Sequence, residues 1–142
     1  MFAITLINTA LMALTVLVHY EFLRLLTLAI PKLAIAHRYR IVIGVFGALI
    51  AHVIEVWLFG LAYYGLIQLD GFGELRGNFD GSVLECVYFS FTNYTTLGYG
   101  DIEPIGPIRF LTGIESLTGL VMITWTASFL FFEMQRHWKV NS

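Results

Sequence analysis

The sequence predicts an all-α membrane protein with three transmembrane helices and one shorter helix that enters the membrane and returns. Apolar residues make up 58% of the chain and charged residues only 13%, whereas soluble domains carry about 25% charged residues. Three apolar segments are long enough to cross a bilayer, which takes about 20 helical residues for a core roughly 30 Å thick. A chain this apolar has too little polar surface to cover a water-soluble fold.

Residues 1–30 form the first predicted transmembrane helix. The segment Phe2–Val18 is almost unbroken apolar sequence, and the helical pattern continues to Ile30. A cleaved signal peptide would begin with positive charge, which is missing from the first residues, so a retained helix is favoured. Pro31 is expected to end the helix, and residues 31–40 form a basic loop.

The remaining chain divides into two further spans with a shorter element between them. Residues 41–69 are the second predicted span, and residues 70–82, rich in glycine and acidic residues, form a surface loop. Residues 83–95 are too few to cross the membrane and are predicted to be a re-entrant helix. Residues 107–133 form the third span, and residues 134–142 are a short tail.

Residues 96–100 carry the most specific chemistry in the sequence. Gly98 and Gly100 alternate with larger residues, and glycine adopts positive φ without steric cost. Successive peptide planes can then turn so that their carbonyls point the same way. Several such columns meeting on an axis can replace the hydration shell of a monovalent cation. Thr96 would extend the column at its inner end, while Leu97 and Tyr99 would point back into surrounding protein.

The charges divide between the two sides of the membrane. Residues 70–109 hold six acidic and two basic residues. The opposite side carries most of the basic residues, namely Arg24, Lys32, Arg38, Arg40, Arg136 and Lys139, against Glu21 and Glu133. Because basic loops stay in the cytoplasm, we expect an outer N-terminus, a cytoplasmic C-terminus and a loop that enters from outside.

The stretch TTLGYGD, residues 95–101, resembles the selectivity filter of potassium channels, usually written TVGYG, with Leu97 in place of valine. Residues 88–92 resemble the end of that family's pore helix, and residues 108–132 resemble its inner helix. The resemblance implies an ion-channel pore domain over residues 41–133. It also implies a homotetramer in membrane lipid, K⁺ as the permeant ion, and no cofactor.

The resemblance also implies roles for individual residues. K⁺ would bind at Thr96, Leu97, Gly98 and Tyr99, with Gly100 completing the filter and Asp101 at the outer mouth. The filter would be supported by Tyr88, Phe89, Thr92 and Thr95. Two of these depart from the family pattern, because Phe89 has no hydrogen-bond donor and Thr92 stands where some relatives have a glutamate that pairs with the filter aspartate.

Four residues within the spans permit more than one interpretation. Gly119 lies where the family has a hinge glycine, so it can serve gating or close helix packing. His52, Glu55 and Glu115 are ionisable, and such residues in a membrane need partners in protein or water. We expect a polar contact among these three, which is structural, linked to proton-dependent gating, or a separate ion site.

The function expected from this resemblance is passive, potassium-selective conduction across the cell membrane. The alternatives are a non-selective cation channel, which Tyr99 argues against, and a non-conducting membrane subunit or sensor. Neither a nucleophile–base pair nor a nucleic-acid-binding patch is visible, so an enzyme is not expected. Two roles are open for the first helix: it packs outside the second helix, or it docks an accessory subunit.

Overall fold

The computed structural model describes residues 2–138 and contains three helices that are long and apolar enough to cross a membrane. A fourth, shorter helix lies between the last two, so the predicted all-α membrane fold is confirmed. The elements are α1 (Phe2–Ala29), a 3₁₀ turn (Ile30–Lys32), α2 (His37–Ile67), β1 (Glu74–Gly77), α3 (Val83–Tyr94), β2 (Ile102–Ile105) and α4 (Ile108–Trp138).

The predicted helix ends differ from the observed ones by several residues. The second span begins at His37 rather than at residue 41, so the predicted basic loop shrinks to residues 33–36. A basic residue is compatible with the end of a span, where it reaches the headgroup region, and Arg40 donates to the Leu33 carbonyl at 3.2 Å. The last span extends to Trp138, so it takes up much of the predicted tail, of which residues 139–142 lie outside the described residues.

A small antiparallel sheet joins the predicted surface loop to the segment after residue 101. Strand β1 pairs with β2 so that Leu75 lies opposite Pro104 and Gly77 lies opposite Ile102. Leu75 and Ile102 are buried, which anchors the sheet on the helices. The prediction of a surface loop at residues 70–82 did not include strand β1. The strand is only four residues long, which is too short for a clear alternating pattern. Its partner β2 follows α3 in the sequence.

Helix α3 packs between α2 and α4 and approaches both closely. A Cβ atom at Gly60 of α2 would overlap Val87 of α3, and one at Gly119 of α4 would overlap the Tyr94 carbonyl at the end of α3. Small residues permit such close backbone approach in membranes. Helix α1 packs against both α2 and α4. The short helix is thus enclosed on two sides by the spans that flank it in sequence.

We expect Gly77→Ala to destabilise the sheet. Gly77 has a φ of 105°, and an added Cβ would overlap the Asp101 carbonyl. Gly81→Ala is the matched control, because Gly81 has a φ of 83° but no atom within 4 Å of a Cβ. Both variants incur backbone strain, and we expect Gly77→Ala to lose about 1–3 kcal/mol more in free energy of unfolding. Thermal unfolding in detergent measures the difference, and equal losses would contradict the overlap.

Candidate functional site

The backbone between α3 and β2 alternates between two conformations. Thr96, Gly98 and Gly100 have φ angles of 60°, 55° and 78°. The residues between them, Leu97 and Tyr99, have ordinary negative φ. Thr96 is the one non-glycine residue with positive φ in the described range 2–138, and its backbone is accordingly strained. Gly98 and Gly100 thus have the positive φ that the sequence analysis expected.

The amide groups of this segment are tied back to the end of α3. The Thr96 N–H donates to the Asn93 carbonyl at 2.9 Å, and the Gly98 N–H donates to the Thr92 carbonyl at 3.0 Å. Within residues 2–138, the carbonyls from position 96 to position 99 accept no hydrogen bond. The segment therefore combines two bound amides, those of Thr96 and Gly98, with free carbonyls at positions 96–99.

The side chains of this segment are uncovered in a single chain. Leu97 is 62% exposed and Tyr99 is 66% exposed. We expected both to point back into surrounding protein, and within one chain they do not.

The four expected support residues divide into two groups. The Tyr88 hydroxyl donates to Asp101 Oδ2 at 2.7 Å, and this hydrogen bond raises the pKa of the Tyr88 phenol. Thr92 donates to the Phe89 carbonyl at 2.8 Å and Thr95 donates to the Phe91 carbonyl. Tyr88 thus holds the residue after the loop, whereas the two threonines bond back to α3.

Phe89 packs on the side of α3 that faces α2. It is buried, and its ring packs edge-on against Tyr63 of α2 with centroids 5.0 Å apart. It lies in the apolar core between α2 and α3, so its lack of a donor leaves no polar group unsatisfied. At the other end of the helix, the Ser82 hydroxyl caps α3 by accepting from Glu85 N–H, and hydrogen bonds from Ser82 lower the pKa of Asp80.

Glu55 is the centre of a buried polar cluster to which all four helices contribute. His19 Nδ1 of α1 lies 2.8 Å from Glu55 Oε1, and His52 Nδ1 lies 3.1 Å from Oε2. The Tyr94 hydroxyl of α3 also donates to this carboxylate. Thr126 of α4 lies on the far side of both imidazoles. We call these five residues, His19, His52, Glu55, Tyr94 and Thr126, the histidine cluster.

Glu115 belongs to a separate cluster. Its carboxyl group accepts a hydrogen bond from Tyr63 of α2 at 2.6 Å and contacts the Ser90 hydroxyl of α3. The expected direct contact among His52, Glu55 and Glu115 was therefore wrong for Glu115, because Glu115 lies beside Tyr63, about two helical turns along α2 from Glu55. Each buried acid instead has its own donors.

His19 is the residue that the sequence analysis missed. Its position in the sequence shows no metal-ligand spacing, yet its side chain is fully buried against Glu55. A signal was present, because the buried residues of α1 include Asn8, Thr15 and His19. Polar residues spaced by seven and four on an otherwise apolar helix share one face. Such a stripe indicates a face packed on protein rather than on lipid.

Gly119 lies against the end of α3. An added Cβ would overlap the carbonyl and carbon of Tyr94, while α4 is a continuous helix through this position. The packing interpretation of Gly119 therefore rests on a direct contact. That contact fixes the distance between α4 and the residues just before the loop.

We expect Gly119→Ala to lower stability and Gly113→Ala to preserve it. Both glycines lie in α4, but a Cβ at position 113 has no neighbour within 4 Å. Overpacking at position 119 should cost about 1–3 kcal/mol, whereas alanine at position 113 should gain up to about 1 kcal/mol from helix propensity. Thermal unfolding of the two variants in the same detergent tests this. A Gly119→Ala protein as stable as the unmodified chain would refute the close contact.

Comparison with known families shows which family the chain belongs to. A family model described as ion channel matches residues 51–136, which is more than half of the chain. The match begins within α2 and includes α3, the loop and most of α4, while α1 lies outside it. Searches of curated proteins and of solved structures gave no match. The chain belongs to the two-transmembrane ion-channel family, which includes the pore domains of potassium channels.

Proposed function

We propose that this ion channel conducts K⁺ passively through a selectivity filter formed by residues 96–100 of four copies. The observation that supports this most directly is the alternation of φ at Thr96, Gly98 and Gly100. Alternating conformations turn successive carbonyls toward one side, and the free carbonyls at positions 96–99 are available to replace water around an ion. No cofactor is needed, because the ion moves down its own gradient.

Assembly follows from the geometry of a single loop. One chain supplies one column of carbonyls, which surrounds an ion only when several copies meet on an axis. The exposed side chains of Leu97 and Tyr99 support this proposal, because neighbouring copies would cover them. We therefore propose a homotetramer whose outer surface contacts membrane lipid.

We assign ion selection to the filter and the local concentration of cations to its outer mouth. K⁺ would occupy sites at Thr96, Leu97, Gly98 and Tyr99, where carbonyl number and field strength favour it over Na⁺. Asp101, held by Tyr88, stands at the outer end beside the acidic segment 70–85. Its negative charge would raise the local cation concentration, an effect that salt weakens.

We place the channel in the cell membrane with its filter entered from outside. The acidic residues on the side of β1 and β2 and the basic residues near Lys32, Arg38 and Arg136 support this orientation. The N-terminus is then outside and the C-terminus cytoplasmic. A cysteine-accessibility experiment at Asp70 and Lys32 in intact cells would distinguish this orientation from its inverse.

Flux through reconstituted liposomes tests the proposed function. We expect a K⁺ gradient to drive flux at least about tenfold faster than an equal Na⁺ gradient, since the filter selects by carbonyl coordination. Gly98→Ala should abolish K⁺ flux, because its φ of 55° and the free carbonyls are needed at that position. Gly81→Ala, which also replaces a glycine of positive φ in open space, should retain flux.

The other outcomes contradict specific parts of the proposal. Equal K⁺ and Na⁺ flux would make the protein a non-selective cation channel. No flux from a correctly assembled protein would make it a non-conducting subunit or sensor. Assembly is measured independently by native mass, which should be four times the 16.1 kDa of one chain. A monomeric or dimeric mass in mild detergent would refute the homotetramer.

A further inference from the structure

We propose that the histidine cluster is a binding site for a divalent transition metal of the Zn²⁺ class. The inference rests on the side chains that meet inside the helix bundle and is independent of the proposed ion selectivity. His19, His52 and Glu55 each offer one donor atom, and these atoms lie within 4.8 Å of one another. Two imidazoles and a carboxylate are the donor types that Zn²⁺, Co²⁺ and Ni²⁺ bind.

The spacing of the donor atoms suits a tetrahedral ion. Tetrahedral ligands at bond lengths of about 2.0 Å are separated from each other by about 3.3 Å. Here His19 Nδ1 lies 2.8 Å from Glu55 Oε1, and His52 Nδ1 lies 3.1 Å from Oε2. Because the three donor atoms lie within 4.8 Å of one another, side-chain movements of up to about 1.5 Å would bring them to tetrahedral spacing. The fourth ligand is the Tyr94 hydroxyl, which lies 3.0 Å from His52 Nδ1.

Thr126 supplies the outer contact that metal-binding histidines require. Its hydroxyl oxygen lies 2.9 Å from His52 Nε2 and 3.3 Å from His19 Nε2. A hydroxyl oxygen can accept two hydrogen bonds, so both Nε2–H groups can donate to Thr126 while both Nδ1 atoms face the metal. This arrangement fixes the orientation and tautomer of the two rings, which is the usual role of such partners.

The charge and composition of the site favour this class of ion. A dication bound by two neutral imidazoles, the Glu55 carboxylate and a Tyr94 phenolate carries no net charge, which suits apolar surroundings. Binding releases the phenolic proton to water. Ca²⁺ and Mg²⁺ prefer shells made of oxygen alone, so the two nitrogen ligands disfavour them.

A path to the site exists on the side of His52. The His52 side chain is 15% exposed, whereas those of His19 and Glu55 are fully buried. His52, Tyr94 and Thr126 line one wall of an apolar cavity of about 400 Å³. An ion that enters through this cavity meets His52 first. Its ligands would then come from α1, α2 and the end of α3, so metal binding would join these three helices behind the loop.

The test is metal binding by the purified full-length protein in detergent. After removal of metals with a chelator, we expect one Zn²⁺ per chain by elemental analysis, and Co²⁺ should give the visible absorption of a tetrahedral nitrogen- and oxygen-bound ion. His52→Ala should abolish both signals. His37→Ala is the matched control, because His37 begins α2 far from the cluster in sequence, and it should bind as the unmodified chain does.

A second variant separates metal binding from folding. Thr126→Val preserves side-chain shape but removes the hydroxyl that orients both rings, and should weaken Zn²⁺ affinity by about 10- to 100-fold. Zn²⁺ should raise the melting temperature of the unmodified protein and of His37→Ala, but not that of His52→Ala. The proposal is overturned if the folded, unmodified protein gives no tetrahedral Co²⁺ spectrum. It is equally overturned if His37→Ala loses as much metal as His52→Ala. The histidine cluster would then serve only to hydrogen-bond the helices to each other.

Discussion

The structure depends on ending a helix inside the membrane. A helix leaves its last carbonyls without intrahelical donors, and lipid offers no water to satisfy them. Helix α3 solves this problem with its own continuation, because the loop folds back and donates its amides to the final turn. The acceptors are the carbonyls of Phe91, Thr92 and Asn93, and the donors are the amides of Thr95, Gly98 and Thr96. The capping of α3 and the free carbonyls at positions 96–99 are therefore one arrangement.

Much of this fold could be predicted from local sequence. Span length and composition set the three long helices, and the shortness of residues 83–95 set the re-entrant one. The backbone of residues 96–100 was also predictable in part, because glycine permits the positive φ found at Gly98 and Gly100. Thr96 shares that conformation without being glycine. Its amide is hydrogen-bonded to the Asn93 carbonyl at the end of α3, a contact that the residue type alone does not predict.

The parts that could not be predicted depend on groups distant in sequence. Strands β1 and β2 are separated by α3 and the filter, so neither shows its partner in its own pattern. Whether Glu55 meets His19 or Glu115 depends on how far each helix is rotated about its axis and displaced along it. Hydropathy gives the length of each helix but leaves its rotation and its neighbours open. The histidine cluster could therefore be described only when all four helices were in place.

The contact between His19 and Glu55 also limits how this protein can change over time. A two-helix pore has no need of a first span, but here the second span carries an acid that the first span shields from lipid. Deleting α1 would expose the Glu55 carboxylate to hydrocarbon and remove one of its donors, at a cost of several kcal/mol. A variant without α1 is therefore expected to need a neutral residue at position 55. The first helix and the charge of one side chain in the second are in this way tied together.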